Sequence, residues 1–129
     1  MAIVGHGIDL TSVDRIREMI ADHGDHFLER VFTAEERKAA AVFASDVRRA
    51  EHFAGRFAAK EAALKAIGTG WRSGIAWTDA EVVNEPWGAP SLRLHGKALE
   101  IAGALGASRW HISISHAAAF AIASVILES

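Results

Sequence analysis

Apolar residues recur at helical spacing from Phe53 to Ile67, and this stretch organises the rest of the chain. On a wheel of about 100° per residue, Phe53, Phe57, Leu64 and Ile67 form one stripe. Ala54, Ala58, Ala62 and Ala66 form a second face of small residues. The stripe predicts core, and the alanine face predicts close approach by another backbone. Gly68-Thr69-Gly70 ends the helix, because glycine takes the left-handed conformation common at a helix C-terminus. Three charges interrupt the pattern. Lys60 falls near the middle of the stripe, where it must snorkel or find a partner. Glu61 and Lys65 are neighbours one turn apart, between the two faces. They read either as a solvated pair or as a metal-binding carboxylate with a phosphate-binding or proton-accepting lysine. The second reading needs another carboxylate from elsewhere in the chain.

Upstream, the apolar and glycine-rich run Ala2 to Ile8 predicts a short buried strand. Asp9 ends it and offers the second carboxylate; by spacing alone it reads equally well as a helix-capping residue. Thr11-Ser12-Val13-Asp14 opens a helix with capping-box chemistry. That helix runs from about Ser12 to Asp22, with Val13, Ile16 and Ile20 on one side, and Gly24 breaks it. A short helical piece, His26 to Val31, is anchored by Phe27, Leu28 and Val31. Thr33, with Glu36 three residues on, forms a capping box for a helix to about Phe43, and Ser45 or Asp46 caps the central helix.

Beyond the central helix, Ala80 to Asn84 predicts a strand and Pro86 to Pro90 a turn. Ser91 to His95 returns with alternating Leu92 and Leu94. Gly96 to Leu105 fits a short helix. Arg109 to Ser115 alternates, with Trp110, Ile112 and Ile114 on one face and His111, Ser113 and Ser115 on the other. Phe120 to Leu127 reads as an apolar strand buried on both sides. Helices gather in the first half and strands in the second, which predicts an α+β fold, an antiparallel sheet packed on a long central helix.

Composition narrows the function classes. A chain of 129 residues is one domain by length, spanning residues 1–129. Half of it is hydrophobic and 23% is charged, the profile of an ordinary soluble protein. No apolar run reaches the roughly 18 residues of a membrane span, and the N-terminus lacks the pattern of a signal peptide. The absence of cysteine excludes a disulfide framework and a thiol nucleophile. These features predict a cytoplasmic protein, and the Met1 start and plain C-terminus favour a free-standing one. A net charge of −2 argues against general affinity for nucleic acid. Arg48, Arg49, Arg56, Lys60 and Lys65 predict a basic middle, suited to an anionic ligand or simply a solvated face. The histidines lack any pair with convincing zinc spacing. Ser113 and Ser115 lie near His116 without a Gly-x-Ser-x-Gly elbow, so hydrolase chemistry is not indicated. Trp71, Trp77, Trp87 and Trp110 read as core and rim rather than a base-stacking platform.

Gly7-Ile8-Asp9-Leu10, the Phe53 to Gly70 element and Ser113-Ile114-Ser115-His116 together resemble the holo-acyl-carrier-protein synthases. These are the small, single-domain 4'-phosphopantetheinyl transferases. The resemblance runs from Ile3 to Glu128 with the motifs in family order, and F-x-x-K-E-A-x-x-K-A-x-G-T-G is its most specific part. It implies transfer of the 4'-phosphopantetheine arm of coenzyme A to a serine of an apo-acyl carrier protein, with release of adenosine 3',5'-bisphosphate. A non-catalytic module that binds coenzyme A or the carrier is the alternative.

Asp9 and Glu61 match the family's Mg²⁺-binding positions, and Mg²⁺ favours a couple of carboxylates completed by phosphate oxygens and water. Lys65 matches the family lysine, and Glu61, Lys65 or a metal-bound water could each serve as base. By the same resemblance Arg56, Gly68, Thr69, Gly70, Pro90 and the Ser113 to His116 segment line the coenzyme A cleft. Arg56 and His116 are its phosphate contacts. Arg15 matches a basic position that meets the acidic carrier protein. Family members of this size are typically homotrimers with active sites between subunits. One departure is that Asp22, His23 and Asp25 stand where a second arginine would be expected late in the first helix.

Overall fold

The computed structural model describes residues 1–69 and 74–129. Its elements are β1 (Ile3–Ser12), α1 (Val13–His23), α2 (Asp25–Val31), α3 (Ala34–Ala40), α4 (Asp46–Ile67), β2 (Ala80–Asn84), β3 (Pro90–Leu94), α5 (Gly96–Ala104), β4 (Arg109–Ala117) and β5 (Phe120–Glu128). A 3-10 turn, Trp77–Asp79, leads into β2. One antiparallel sheet has the order β1-β5-β4, and β2 and β3 form a separate hairpin. This is the expected α+β architecture, with α4 laid across the three-stranded sheet.

Local chemistry sets the helix ends. Ser45 caps α4 by accepting from the Arg48 N–H at 3.3 Å. Gly68, at φ 87°, closes it in the left-handed conformation that glycine adopts without steric cost. Thr33 and Glu36 form the reciprocal capping box of α3. That helix stops at Ala40 rather than near Phe43, because Phe43 turns away and places its ring 5.2 Å from the His52 ring. Ser12 caps α1, its hydroxyl accepting from the Arg15 N–H at 3.2 Å. The cap is therefore not Asp9, and the capping-box reading of Thr11 to Asp14 is replaced by a Ser12 cap.

β1 corrects a second expectation. It continues past Ile8 through Asp9 to Ser12 because its partner β5 runs alongside, and it is buried on one face only, the face that α4 covers. Gly7 and Thr11 point inward, whereas Ile3, Ile8 and Leu10 are exposed. β5 likewise is not buried on both sides. Ala121, Ala123, Val125 and Leu127 are covered, and Phe120 and Ile122 are bare on the outer face. On β4, Trp110, Ile112 and Ile114 face the core as the alternation predicts. Trp110 donates to the Leu92 carbonyl at 2.7 Å, tying the hairpin to the sheet. Trp77 stacks on Phe57 with centroids 5.0 Å apart, Trp87 is exposed, and Trp71 lies outside the described residues.

The stripe and the alanine face of α4 behave as their spacing implies. Phe53, Leu64 and Ile67 are buried, as are Ala54, Ala58, Ala62 and Ala66. The approach of β1 to the alanine face is close enough to require glycine. A Cβ on Gly7 would lie 1.9 Å from the Ala62 carbonyl oxygen, and one on Gly5 would lie 2.3 Å from that of Ala66.

Lys60 resolves its conflict by pairing. Its ammonium and the Glu36 carboxylate are both 0% exposed and 2.7 Å apart. Lys60 also donates to the carbonyls of Ala80 at 2.6 Å and Trp77 at 3.2 Å, and lies 5.5 Å from the centre of the Phe32 ring. Glu36 accepts from the backbone N–H of Thr33 and of Val82, each at 2.9 Å. Burial pushes the Lys60 ammonium below its ordinary value, and Glu36 opposes that shift. No helix among the described residues is long and apolar enough to cross a membrane.

Two outcomes follow from these buried polar groups. Lys60→Met leaves Glu36 charged and unpaired in the core and is expected to cost about 3–5 kcal/mol in denaturant unfolding. Adding Glu36→Gln should recover a large part of that loss, because it removes the stranded charge. A Lys60→Met penalty under about 1 kcal/mol would mean the pair does not hold α3, α4 and β2 together.

The second concerns His52, whose ring sits between Phe43 and Phe53. Its Nε2 is buried with no hydrogen-bond partner among the described residues. Burial, reinforced by the charges of Arg56 and His116, lowers its pKa from 6.5 to about 4. Between those values the unfolded chain takes up a proton that the folded chain refuses, so stability falls as pH falls through that window. His52→Phe should remove this contribution, so the variant loses less thermal stability than the parent between pH 7 and pH 4.5. Equal losses would assign the acid sensitivity to other groups.

Candidate active site

The glycine contacts of β1 deliver a carboxylate to α4. Gly5, Gly7 and Asp9 share the inward face of the strand, and as the strand rises its contacts descend α4 from Ala66 to Ala62. Asp9 thereby arrives beside the turn that carries Glu61 and Lys65. Lys65 Nζ donates to Asp9 Oδ1 at 3.1 Å and to the Ile8 carbonyl at 3.0 Å. Thr11 donates to Asp9 Oδ2 at 2.8 Å, orienting the carboxylate. The Asp9 side chain is 16% exposed and that of Lys65 55%, so the pair lies at a mouth rather than in the core. Lys65 has three N–H groups, and two acceptors hold it here, which leaves one for an incoming oxygen. Glu61, half-buried, precedes Lys65 by one turn on the same side of the helix. No group of three or more His, Cys, Asp or Glu side chains able to hold a metal occurs among the described residues. An ion at Asp9 and Glu61 would need phosphate and water to complete its shell, the arrangement typical of Mg²⁺. The donor set fits that cation and does not fit zinc.

Arg56 marks a second locus. It is largely buried, and its one hydrogen-bond partner among the described residues is Asn84 Oδ1 at 2.7 Å. Burial presses the guanidinium below its ordinary pKa, with Glu36 opposing, but a guanidinium stays charged in any case. Asn84 pairs with Pro90 across the β2–β3 hairpin, so two predicted cleft residues meet through an asparagine that the sequence reading did not single out. A cavity of about 320 Å³ opens there, lined by Arg56, Lys38, Val82 and Asn84 among others.

His116 reaches back to α4, its Nε2 3.0 Å from the Glu51 carbonyl, and Gly55 makes room for its ring. Ser113 lies on the outer sheet face opposite Ser124, away from α4. Gly68 and Thr69 follow the end of α4, and Gly70 lies outside the described residues.

The predicted site residues therefore do not converge within one chain. Arg56 and Lys65 are nine positions apart, about half a turn around α4, and face opposite ways. The expected basic patch is also corrected. Lys60 is buried against Glu36, Arg49 is paired with Asp46, and Lys65 with Asp9. Only the awkward position of Lys60 on the apolar stripe signalled that a buried acid had to exist, and Glu36 was already visible as a capping residue.

Comparison with known proteins identifies the family. Residues 5–123 match the family model for the 4'-phosphopantetheinyl transferase superfamily. The chain is 51% identical to the holo-[acyl-carrier-protein] synthase of Koribacter versatilis and 45% identical to that of Geobacter sulfurreducens, in each case over 98% of both chains. Among solved structures, it is similar to the Bacillus anthracis holo-(acyl-carrier-protein) synthase in complex with CoA (3',5'-ADP). There the TM-score is 0.80 and the identity 41%, over 98% of this chain and 97% of that one. The Helicobacter pylori synthase in complex with coenzyme A superposes with a TM-score of 0.82 at 29% identity, over 95% and 99% of the two chains. The chain belongs to the holo-[acyl-carrier-protein] synthase family of the 4'-phosphopantetheinyl transferase superfamily.

Proposed function

We propose that this protein is a single-domain, cytoplasmic enzyme that transfers the 4'-phosphopantetheine group of coenzyme A to a serine of an apo-acyl carrier protein. The observation that carries the reading is the Asp9–Lys65 pair beside Glu61, held at a mouth between β1 and α4 in a chain that matches its family relatives over 98% of their length. In the reaction the carrier serine oxygen attacks the phosphorus that bears the pantetheine arm. Its bond to the bridging oxygen breaks, and adenosine 3',5'-bisphosphate leaves. Lys65, with an N–H to spare and Asp9 and Ile8 fixing its direction, holds a phosphate oxygen at the reacting end. Glu61 or Lys65 accepts the serine proton. Asp9 and Glu61 would hold Mg²⁺, which when bound supplies neutralisation of the pyrophosphate charge. Arg56 and His116 bind the phosphates of the nucleotide half, and Pro90, Gly68, Thr69, Gly70 and Ser113 shape its cleft.

The half-turn between Arg56 and Lys65 supports a site completed by a neighbouring subunit, in a homotrimer. The bare outer face of the sheet supports the same assembly. Leu10 and Ile122 are register partners there, Ser12 pairs with Phe120, and Ile8 extends the apolar row. Arg15, exposed on α1, receives the acidic carrier protein.

Incubation with coenzyme A, Mg²⁺ and an apo carrier protein should add the mass of the phosphopantetheine arm to the carrier. Binding without that increase across several carriers would leave a non-catalytic module instead. Asp9→Ala should lower transfer by ~10²-fold or more with the fold kept, as loss of a preorganised electrostatic group does. Near-normal turnover at limiting Mg²⁺ would remove Asp9 from the site. Arg15→Glu should raise the KM for the carrier by roughly tenfold or more, because attraction becomes repulsion, and leave the KM for coenzyme A unchanged. Equal changes in both constants would make Arg15 a structural residue and place docking elsewhere.

A further inference from the structure

A second cavity lies apart from the site described above. It has a volume of about 560 Å³, in the range of about 300–1,000 Å³ typical of small-molecule pockets, and sits among α1, α2, α3 and α4. Its floor is apolar, built from Ile20, Leu28, Ala40, Ala50 and Phe53. Its rim is charged. Arg49 there is spoken for, pairing with Asp46 and donating to the Phe43 carbonyl at 2.9 Å. Arg17 reaches Asp14 only at 3.9 Å. Arg37 differs from both. Its side chain makes no hydrogen bond or ion pair with any described residue.

A permanently charged guanidinium that lines an apolar cavity without a protein partner calls for an anion. The lining limits what kind. Three arginines face two aspartates, Asp25 and Asp46, so the rim carries a single net positive charge. A doubly charged phosphate would meet both carboxylates, whereas a monoanion with an apolar body satisfies rim and floor together. We propose that this cavity binds a small amphipathic monoanion, a carboxylate of medium chain length, with its head on Arg37 and its chain on Ile20, Leu28 and Phe53.

None of the residues lining it belongs to the proposed coenzyme cleft, so the binding is independent of transfer chemistry. Octanoate serves as the probe, titrated calorimetrically into the full-length protein with and without saturating coenzyme A. Saturable binding that coenzyme A does not displace is expected. Octanol, which lacks the charge, and inorganic phosphate, which lacks the chain, should each bind at least about tenfold more weakly. Arg37→Met keeps the length of the side chain and should weaken octanoate by about tenfold or more. Ala21→Phe, at an exposed position on the wall, should fill the space and abolish binding while every rim charge remains. Absence of saturable binding, displacement by coenzyme A, or octanoate affinity unchanged in Arg37→Met and Ala21→Phe would each overturn the proposal.

Discussion

Ala62 of α4 and Gly7 of β1 meet backbone to backbone, with 1.9 Å between the helix carbonyl oxygen and the place a Cβ on Gly7 would occupy. This clearance sets the geometry of the Asp9–Lys65 pair. Because the strand lies against the helix with no side chain between them, the short Asp9 side chain two residues on can reach Lys65. Any larger residue at position 7 would lift the strand and break that reach. The alanine face of α4 therefore acts as the seat for a strand that carries a carboxylate. Strand alternation has a second consequence. Committing Gly7, Asp9 and Thr11 to α4 turns Ile8 and Leu10 outward, and the same row of contacts that builds the site leaves an apolar surface bare.

The far side of α4 is governed by a different interaction. A lysine at 0% exposure loses its hydration, and only a full set of acceptors makes that tolerable. Lys60 finds three, from Glu36 and the carbonyls of Trp77 and Ala80. Glu36 in turn holds the first turn of α3 and the N–H of Val82. One buried pair thus fixes α3, α4 and the start of the β2–β3 hairpin relative to each other. It sits one turn from Arg56, and the hairpin it anchors is the one that presents Asn84 to that guanidinium. The nucleotide end of the proposed cleft is shaped through this pair rather than by direct contact with it.

Much of this was legible in local chemistry. The Thr33 and Glu36 box, the Ser45 cap and the stop at Gly68 are each decided by residues within a turn of one another, and each stands where its spacing put it. The alternation of β4 likewise assigned Trp110, Ile112 and Ile114 to the core. What escaped depends on partners distant in the chain. Asp9 read as the end of the strand, open between cap and ligand; only pairing with β5 shows that the strand continues and that Ser12 takes the capping role. β5 looked buried on both sides because Phe120 and Ile122 interrupt the polar positions, yet an apolar residue says nothing about what covers it. The basic middle dissolved for the same reason, since Lys60, Arg49 and Lys65 each answer to an acid that proximity in sequence does not uniquely select.

Helical geometry then links the site to the surface. Nine positions of α4 separate Lys65 from Arg56, and at about 100° per residue their side chains leave the helix on opposite sides. The two cations thus serve opposite sides of α4. Ser113, on the outer sheet face, also points away from α4. That outer face also carries Leu10, Phe120 and Ile122, large apolar side chains left exposed. The seat on α4 and the bare apolar face are thus two effects of one arrangement: β1 commits its inward row to α4 and leaves its outward row exposed.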